Sequence, residues 1–277
     1  MIGAIIGDVV GSRFEFNNHL SKDFEFFHRS CRFTDDTVMT CAVAKALILV
    51  DGDWEKLTPE FVTQVYQNVG QYYPDCGFGG RFFKWMFSAF PKPYGSCGNG
   101  SAMRISPVGF VARSEEECKE LAYKMTVVSH DHPEGIKGAE CTAMCIYLAR
   151  CGKTKEEIKS YVEEHYYKLD KTLEDYLKEN AGQHGKELCQ IAVPQAIRCF
   201  LDGNSFEDVI RNCVSIGGDT DTIGAIAGGI AQAFYGTPAN MIDDVMEYLD
   251  EQLYEIVQVF FNCGICTDDG ADTFVGI

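Results

Sequence analysis

The dominant pattern along the chain is helical, because apolar residues recur at intervals of three and four positions. Residues 38–50 are almost wholly apolar or small, which predicts a helix that is buried on most sides. No segment alternates apolar and polar residues convincingly, as a half-buried strand would. The pattern therefore predicts an all-α fold of about ten helices.

Start and stop signals divide the chain into these helices. Thr58 precedes Pro59 at one start, and Thr154 and Ser205 stand at two others. Ser114 is followed by three glutamates in the pattern of a capping box. Further helices are predicted over residues 133–152, 188–201, 223–235 and, with one continuous apolar face, 242–260. No linker rich in Pro, Gly or Ser interrupts them, so residues 1–277 are predicted to form a single compact multi-helix domain.

The charge balance restricts the partners of the protein. Its 277 residues include 24 Lys and Arg against 41 Asp and Glu, a net charge of −17 that argues against a nucleic-acid or anionic lipid surface. No apolar run approaches the roughly 20 residues of a membrane span. The start of the chain lacks the basic region of a signal peptide. We therefore expect a cytoplasmic monomer, in which the charged section 153–187 is a solvated helical face.

The thirteen cysteines are odd in number and scattered. Several, such as Cys41 and Cys199, fall within apolar helical patterns, where a thiol behaves as a small hydrophobic group. Cys263 and Cys266 form the only Cys-x-x-Cys pair, and no second pair completes a zinc site. Reduced structural thiols are the favoured interpretation.

Two acidic clusters stand directly before the two least polar helices. Thr34, Asp35, Asp36 and Thr37 precede one of them, and residues 217–222, which include Asp219, Asp221 and Thr222, precede the other. One carboxylate at each start would suffice for N-capping. Two at each start go beyond capping, so we expect the clusters to have a further role.

If the two helix starts meet, four carboxylates converge without a Lys or Arg among them. Such a cluster requires cations, and oxygen ligands favour Mg²⁺ or Mn²⁺ over zinc. Two divalent ions would balance four ionised carboxylates. A calcium EF-hand is excluded, because its loop would place Ile223 and Ile230 where carboxylates are required.

Three other segments carry weaker signals. The glycine-rich segment 95–104 has the composition of a phosphate-cradling loop, although such loops are common. His130 stands at a predicted helix start, where a structural histidine is the ordinary interpretation. Glu15 lies between Phe14 and Phe16, and burial beside them would raise its pKa and suit it to acid–base chemistry, although a surface glutamate is the default.

Taken in order, these segments resemble the ADP-ribosylglycohydrolase family. The pattern Gly-Asp-x-x-Gly-x-x-x-Glu-Phe occurs at 7–16, Thr-Asp-Asp-Thr at 34–37, and Gly-Asn-Gly-x-Ala-Met-Arg at 98–104. Gly-Gly-Asp-Thr-Asp-Thr-Ile-Gly occurs at 217–224, and the match extends to Gly236. Four motifs in the right order make the resemblance specific.

The resemblance implies an all-α enzyme that hydrolyses the bond between C1″ of ADP-ribose and an acceptor, using two divalent cations, Mg²⁺ or Mn²⁺. The implied metal ligands are Thr34, Asp35, Asp36, Asp219, Asp221 and Thr222. The implied ligand-binding residues are Ser96, Gly98, Asn99, Gly100 and Ser101 of a pyrophosphate loop, together with His130. The implied partner is ADP-ribose or an ADP-ribosylated protein.

The reaction implied is glycosidic, with positive charge developing on the ribose and a metal-activated water attacking C1″. Glu15, which matches a mobile glutamate of the family, or one of Asp35 and Asp36 would manage the protons. Members of the family often carry an aromatic residue before Gly-Asn-Gly, whereas this chain has Cys97, so the residue that stacks on adenine stays open. The acceptor also stays open among arginine, serine, an acetyl ester, a polymer of ADP-ribose and a nucleic-acid base.

Two other functions compete with this one. His130 and Asp131 suggest an all-α His-Asp phosphohydrolase, although only His28 and Asp219 are available as its remaining ligands. A non-catalytic ADP-ribose-binding module on the same fold would not need the full set of metal-type residues and Glu15. A haloacid-dehalogenase-like phosphatase is rejected. Its Asp-x-Asp motif follows an apolar strand near the N-terminus, whereas Asp219 and Asp221 of this chain lie in its C-terminal part and follow a helical pattern.

Overall fold

The computed structural model describes residues 1–181 and 187–263, and every regular element in these ranges is helical. The helices are α1 (Ile2–Gly11), α2 (Asp35–Val50), α3 (Pro59–Gly70), α4 (Gly80–Met86), α5 (Gly100–Met103), α6 (Ser106–Val111), α7 (Glu115–Thr126), α8 (Pro133–Arg150), α9 (Lys155–His165), α10 (Leu173–Asn180), α11 (Cys189–Asp202), α12 (Phe206–Ile216), α13 (Thr220–Tyr235), α14 (Ala239–Met246) and α15 (Glu251–Asn262), with a 3₁₀ turn at Trp54–Lys56. A single antiparallel bridge joins Gly98 and Leu188 in the described ranges. The all-α prediction is confirmed.

Capping side chains begin many of these helices as the sequence indicates. The hydroxyl groups of Thr58, Thr154 and Ser205 accept hydrogen bonds from backbone N–H groups in the first turns of α3, α9 and α12. The capping box predicted at Ser114 is only half formed. Ser114 accepts from the Glu117 N–H, but the Glu117 carboxylate accepts from the N–H of Arg113 instead.

The number of helices exceeds the expected ten, because short and fully buried helices carry little amphipathic signal. The predicted face over residues 242–260 is divided between α14 and α15, since Asp250 caps a new helix by accepting from the Leu253 N–H. The charged section becomes α9 and α10, which present most of their lysines and glutamates to solvent. Its residues 182–186 lie outside the described residues.

Helix α1 is the central element that sequence patterning missed. All ten of its residues are buried, so it has no polar face to mark it as a helix. It packs along α13, which is also buried almost throughout, and α13 packs in turn on α8, α11 and α12. Helix α2 packs between α3 and α15. The most apolar helices therefore lie at the centre of the molecule.

Glycines allow α1 and α13 to touch backbone to backbone. A Cβ atom on Gly3, Gly7 or Gly11 would lie 2.3, 2.0 or 2.4 Å from a carbonyl oxygen of α13. Gly224 and Gly228 of α13 meet α1 in the same way, at 2.6 and 2.1 Å from its carbonyl oxygens. The spacing of four residues keeps the glycines on one face of each helix. This contact sets the beginning of α13 beside the end of α1.

Other sequence-based expectations meet the structure only in part. No helix in residues 1–181 or 187–263 is long and apolar enough to cross a membrane. The twelve cysteines in these ranges are free thiols, and Cys266 lies outside the described residues. A domain that extends to residue 277, a monomer and a cytoplasmic location stay predictions.

Candidate active site

The beginnings of α2 and α13 open onto one cleft of about 380 Å³. Both acidic segments contribute to its lining, through Thr34, Asp35, Asp36, Asp219, Asp221 and Thr222. The glycine loop and His130 line the same cleft, and Glu15 lies at its edge. Five segments that are distant in sequence therefore face one volume.

A carboxylate of α1 holds the beginning of α2. Asp8 is fully buried and accepts hydrogen bonds from the backbone N–H groups of Thr34, at 2.9 Å, and Thr37, at 3.0 Å. The hydroxyl groups of the same threonines donate to Asp8 at 2.7 and 2.5 Å. These four bonds satisfy donors at a helix start, where N–H groups lack partners within the helix. Asp35 and Asp36 can therefore face the cleft instead of capping α2.

Two glycines and two asparagines shape the turn before α13. Gly217 and Gly218 have φ angles of 68° and 81°, a left-handed conformation that favours glycine. Asn18 donates to the Gly218 carbonyl oxygen at 3.1 Å and accepts from the Gly218 N–H at 3.0 Å. Buried Asn180 donates to the Gly217 carbonyl oxygen at 3.2 Å. The turn is held on both sides, and it delivers the second acidic segment to the cleft.

The carboxylates form two adjoining groups that share Asp221. Oxygen atoms of Asp8, Asp36 and Asp221 lie within 4.8 Å of one another, and so do oxygen atoms of Glu15, Asp219 and Asp221. The Oδ1 atom of Asp36 is buried and has no hydrogen-bond partner among the described residues. Leaving a buried carboxylate oxygen unpaired is costly, so this atom is suited to a cation.

Two hydroxyl groups complete this oxygen cluster. Thr222 donates to Oδ2 of Asp36 at 3.3 Å, and Thr34 lies 3.4 Å from the same atom. Neither carboxylate group of the cluster includes a nitrogen or sulfur donor. Oxygen donors of this kind suit Mg²⁺ or Mn²⁺.

Burial and mutual repulsion raise the pKa values of these carboxylic acids. The pKa values of Asp35, Asp36 and Asp221 lie well above the ordinary value, first because burial removes solvation of the charged form and then because neighbouring carboxylates repel it. Burial also raises the pKa of Asp8, although its hydrogen bonds to Thr34 and Thr37 oppose the shift. Full ionisation of the cluster at neutral pH therefore requires compensating positive charge.

Glu15 is half-buried where the cluster meets the open cleft. Burial and then the charge of Asp219 raise the pKa of Glu15 to about 7, while a hydrogen bond with Asp221 opposes the rise. A carboxyl group with this pKa exchanges protons readily at neutral pH, which suits general acid–base chemistry. The adjacent Phe16 also lines the cleft, and its side chain is 70% exposed.

The glycine loop is tied to the second acidic segment. Asn99 donates from its side-chain amide to Asp219 at 2.6 Å. The Gly98 N–H donates to the Ser96 hydroxyl at 3.2 Å, and both residues line the cleft, as does Gly100. Ser101 is different, because it is fully buried beneath the loop and donates to the Gly135 carbonyl oxygen at 2.8 Å. Its hydroxyl group is not part of the cleft lining.

His130 closes the end of the cleft at the glycine loop. Its ring is adjacent to those of Phe82 and Tyr94, each with its centroid 5.9 Å away. Burial and then the positive charges of Arg104 and Arg81 lower the pKa of His130 well below its ordinary value. The imidazole is therefore neutral at neutral pH.

Comparison with known proteins settles the family. A family model described as ADP-ribosylglycohydrolase matches residues 1–265. The chain belongs to the ADP-ribosylglycohydrolase family. Mouse ADP-ribosylhydrolase ARH3 is 24% identical to it over 309 residues, which cover 85% of this chain and 82% of the mouse protein.

Two further relatives agree with this assignment. The ADP-ribosyl-[dinitrogen reductase] glycohydrolase of Rhodospirillum rubrum is 23% identical and covers 88% of this chain and 85% of its own length. A solved structure titled "ADP-ribosylglycohydrolase-related protein complex" superposes with a TM-score of 0.69 at 19% identity, covering 95% of both chains. This likeness shows that the fold is that of the family.

The sequence motifs did not indicate Asp8 as a member of the carboxylate cluster. They also did not indicate four residues of the cleft lining: Arg32, Arg81, Tyr94 and Glu187. Asp8 had a usable signal, because it is the one carboxylate in an apolar stretch with glycines four residues apart. The others lie in loops or on a short helix, and only the tertiary structure brings them to the cleft.

Among the described residues, His130 and Asp131 do not belong to a group of candidate metal ligands. Asp131 accepts a hydrogen bond from the Gly95 N–H at 2.6 Å and so supports the glycine loop. His28 lies outside the cleft lining, with its Nδ1 atom 2.7 Å from the Ser30 hydroxyl. Within the part of the chain that the structure describes, neither group of candidate metal ligands contains a histidine.

Proposed function

We propose that this member of the ADP-ribosylglycohydrolase family hydrolyses the glycosidic bond between C1″ of ADP-ribose and an acceptor, and so reverses ADP-ribosylation. The observation that carries the proposal is one cleft with a buried carboxylate cluster at one end and a glycine loop with a neutral histidine at the other. The family and the names of mouse ARH3 and the Rhodospirillum enzyme support the same class of reaction.

The glycine-loop end suits the ADP part of the substrate. The loop runs into the first turn of α5, where backbone N–H groups lack partners within the helix and can meet phosphate oxygens. Gly98 and Gly100 allow close approach, because neither carries a side chain. Tyr94 and Phe82 line the same end and offer aromatic surface for adenine, which Cys97 does not.

The carboxylate end suits two divalent cations, Mg²⁺ or Mn²⁺. The residues that would hold them are Thr34, Asp35, Asp36, Asp219, Asp221 and Thr222. Their fit rests on the unpaired Oδ1 atom of Asp36 and on the raised pKa values of the cluster. When bound, such cations neutralise the carboxylates and activate water for attack on a sugar carbon.

Proton transfer falls to a side chain of the cluster. In the hydrolysis, the water oxygen bonds to C1″, the bond from C1″ to the acceptor breaks, and one water proton ends on the acceptor. Glu15 has the pKa and the half-exposed position that this transfer requires. Asp35 and Asp36 are the other candidates; Asp36 is buried, whereas Asp35 is half-buried like Glu15.

A hydrolysis panel tests the proposal. Arginine-, serine- and ester-linked ADP-ribose are incubated with the protein in Mg²⁺, in Mn²⁺ or with a chelator, and released ADP-ribose is quantified. We expect cation-dependent release from at least one linkage, and its loss in Asp36→Asn. Asp243→Asn, at an exposed position outside the cleft, is the matched control and should retain activity. ADP-ribose binding without turnover on any linkage would instead identify a non-catalytic binding module.

A further inference from the structure

A buried arginine, Arg104, lies behind His130 and has no acidic partner among the described residues. Arg104 is fully buried, and its guanidinium lies over the rings of Tyr66, at 4.9 Å, and Phe82, at 5.4 Å. Its Nη2 donates to the Ser129 hydroxyl at 2.9 Å, and that hydroxyl lies 2.9 Å from Nδ1 of His130. Ion pairs among the described residues do not include Arg104. The contacts form a chain from Arg104 through Ser129 to His130.

The direction of these hydrogen bonds follows from the chemistry of their donors. A guanidinium only donates, so Ser129 Oγ accepts from Arg104. The hydroxyl hydrogen of Ser129 then has one acceptor within the described residues, Nδ1 of His130. If His130 instead donated from Nδ1, the hydroxyl hydrogen of a fully buried serine would be left unpaired, which is unfavourable. The arrangement therefore favours His130 with Nδ1 as acceptor.

The other nitrogen of His130 faces the glycine loop. A Cβ atom on Gly100 would lie 3.3 Å from Nε2 of His130, and one on Gly98 would lie 3.6 Å from it. Within residues 1–181 and 187–263, no protein group forms a hydrogen bond with Nε2. Because His130 lines the cleft, this nitrogen is available to a ligand that occupies the loop.

We propose that Arg104 and Ser129 are positioning residues that fix the proton of His130 on Nε2, so that the imidazole donates a hydrogen bond to a phosphate oxygen at the glycine loop. The proposal rests on the proposed function, because ADP-ribose supplies that phosphate oxygen. The tautomer decides whether His130 can bind the phosphate. Phosphate oxygens only accept hydrogen bonds, and an unprotonated Nε2 would place its lone pair against a lone pair of the oxygen. Arg104 strengthens the hydrogen bond from the Ser129 hydroxyl to His130 by polarising that hydroxyl group.

The tautomer is measured directly by ¹⁵N NMR of the histidine rings in the ligand-free protein. The chain has six histidines, and comparison with His130→Gln assigns the signals of His130. We expect Nε2 to show a bonded proton and Nδ1 to show none. A bonded proton on Nδ1 in the wild type would overturn the proposal. This measurement requires no substitution of Arg104 or Ser129.

Variants of Ser129 test the positioning role. Ser129→Ala should convert the His130 spectrum to a mixture of tautomers and weaken ADP-ribose binding about 2- to 10-fold by calorimetry, the usual worth of one neutral hydrogen bond. Ser129→Thr retains the hydroxyl and should restore both the spectrum and the affinity. An unchanged spectrum in Ser129→Ala would overturn the role of Ser129, and an altered spectrum with unchanged affinity would overturn the link to the ligand.

The two proposals fail separately. The ¹⁵N spectrum of the histidine rings is recorded without substrate, so the tautomer it reports does not depend on whether the protein hydrolyses any conjugate. A protein that binds ADP-ribose through the predicted tautomer but hydrolyses nothing would contradict the proposed function alone.

Discussion

Replacing Gly7 with alanine tests how the site is assembled. The new Cβ atom would lie 2.0 Å from the Gly224 carbonyl oxygen, 2.2 Å from its carbon and 2.7 Å from the Ala225 nitrogen. Ordinary contacts begin at 3.4 Å, so the two backbones must move apart at this point to admit the Cβ atom. All three obstacles are backbone atoms, and no flexible side chain can move aside.

The expected cost follows from this overlap. Overpacking costs about 1–3 kcal/mol, and a backbone collision belongs at the upper end of that range. Alanine recovers about 1 kcal/mol of helix propensity, so we expect a net loss of about 2 kcal/mol. At about 2–4 °C per kcal/mol, Tm should fall by roughly 4–8 °C. Because α1 also carries Asp8, the gain in Tm on adding Mn²⁺ should shrink as well.

Thermal unfolding with and without Mn²⁺ measures both effects. Gly80→Ala is the matched control, because a Cβ at Gly80 meets no atom within 4 Å and the residue also lies in a helix. We expect Gly80→Ala to leave Tm unchanged or slightly higher. If Gly7→Ala proved as stable as Gly80→Ala, the close contact of α1 with α13 would not be what holds the two acidic segments together.

Other predictions address the chemistry of the cleft. Glu15→Gln should lower turnover by roughly 10²–10⁴-fold while ADP-ribose binding persists in calorimetry, and equal turnover would move the acid–base role to Asp35 or Asp36. Gly98→Val should weaken ADP-ribose binding by blocking the loop but leave the Mn²⁺-induced rise in Tm intact; unchanged affinity would make the loop purely structural. Asp221→Asn should reduce that rise, because a cation that binds only the folded state stabilises it, and a full rise in this variant would remove Asp221 from the ligand set. With a chelator present, Tm should fall as the pH rises from about 4.5 towards about 7. The reason is that Glu15 has a higher pKa in the folded state, so that over this range the folded chain binds more protons than the unfolded chain. A Tm that rises over this range would contradict the raised pKa of Glu15.

Local signals account for the parts of the fold that sequence reasoning predicted correctly. Thr58, Thr154 and Ser205 mark helix starts because the cap is a hydrogen bond between near neighbours, which composition and spacing reveal. Helix α1 was missed for the opposite reason. It is buried on every side, so its identity depends on glycine contacts with α13, more than 200 residues away along the chain.

The same distinction applies to the candidate site. The sequence indicated the two acidic segments and the glycine loop, because each is a short motif with recognisable chemistry. It did not indicate that Asp8 would accept from the Thr37 N–H beside the Thr34 cap of α2, or that Ser101 would donate to the Gly135 carbonyl oxygen beneath the loop. Nor did it indicate the chain from Arg104 to His130, which joins a helix end to the turn before α8. Those facts arise from tertiary packing.

The identity of the reaction products tests the central claim most directly. Arginine-linked ADP-ribose, or whichever linkage the panel shows to be cleaved, is incubated with the protein and Mn²⁺, and the products are analysed by mass spectrometry. We predict intact ADP-ribose and the free, unmodified acceptor, with neither product formed by Asp36→Asn. AMP together with a ribose phosphate still attached to the acceptor would show that the pyrophosphate is cleaved, and would contradict glycosidic hydrolysis.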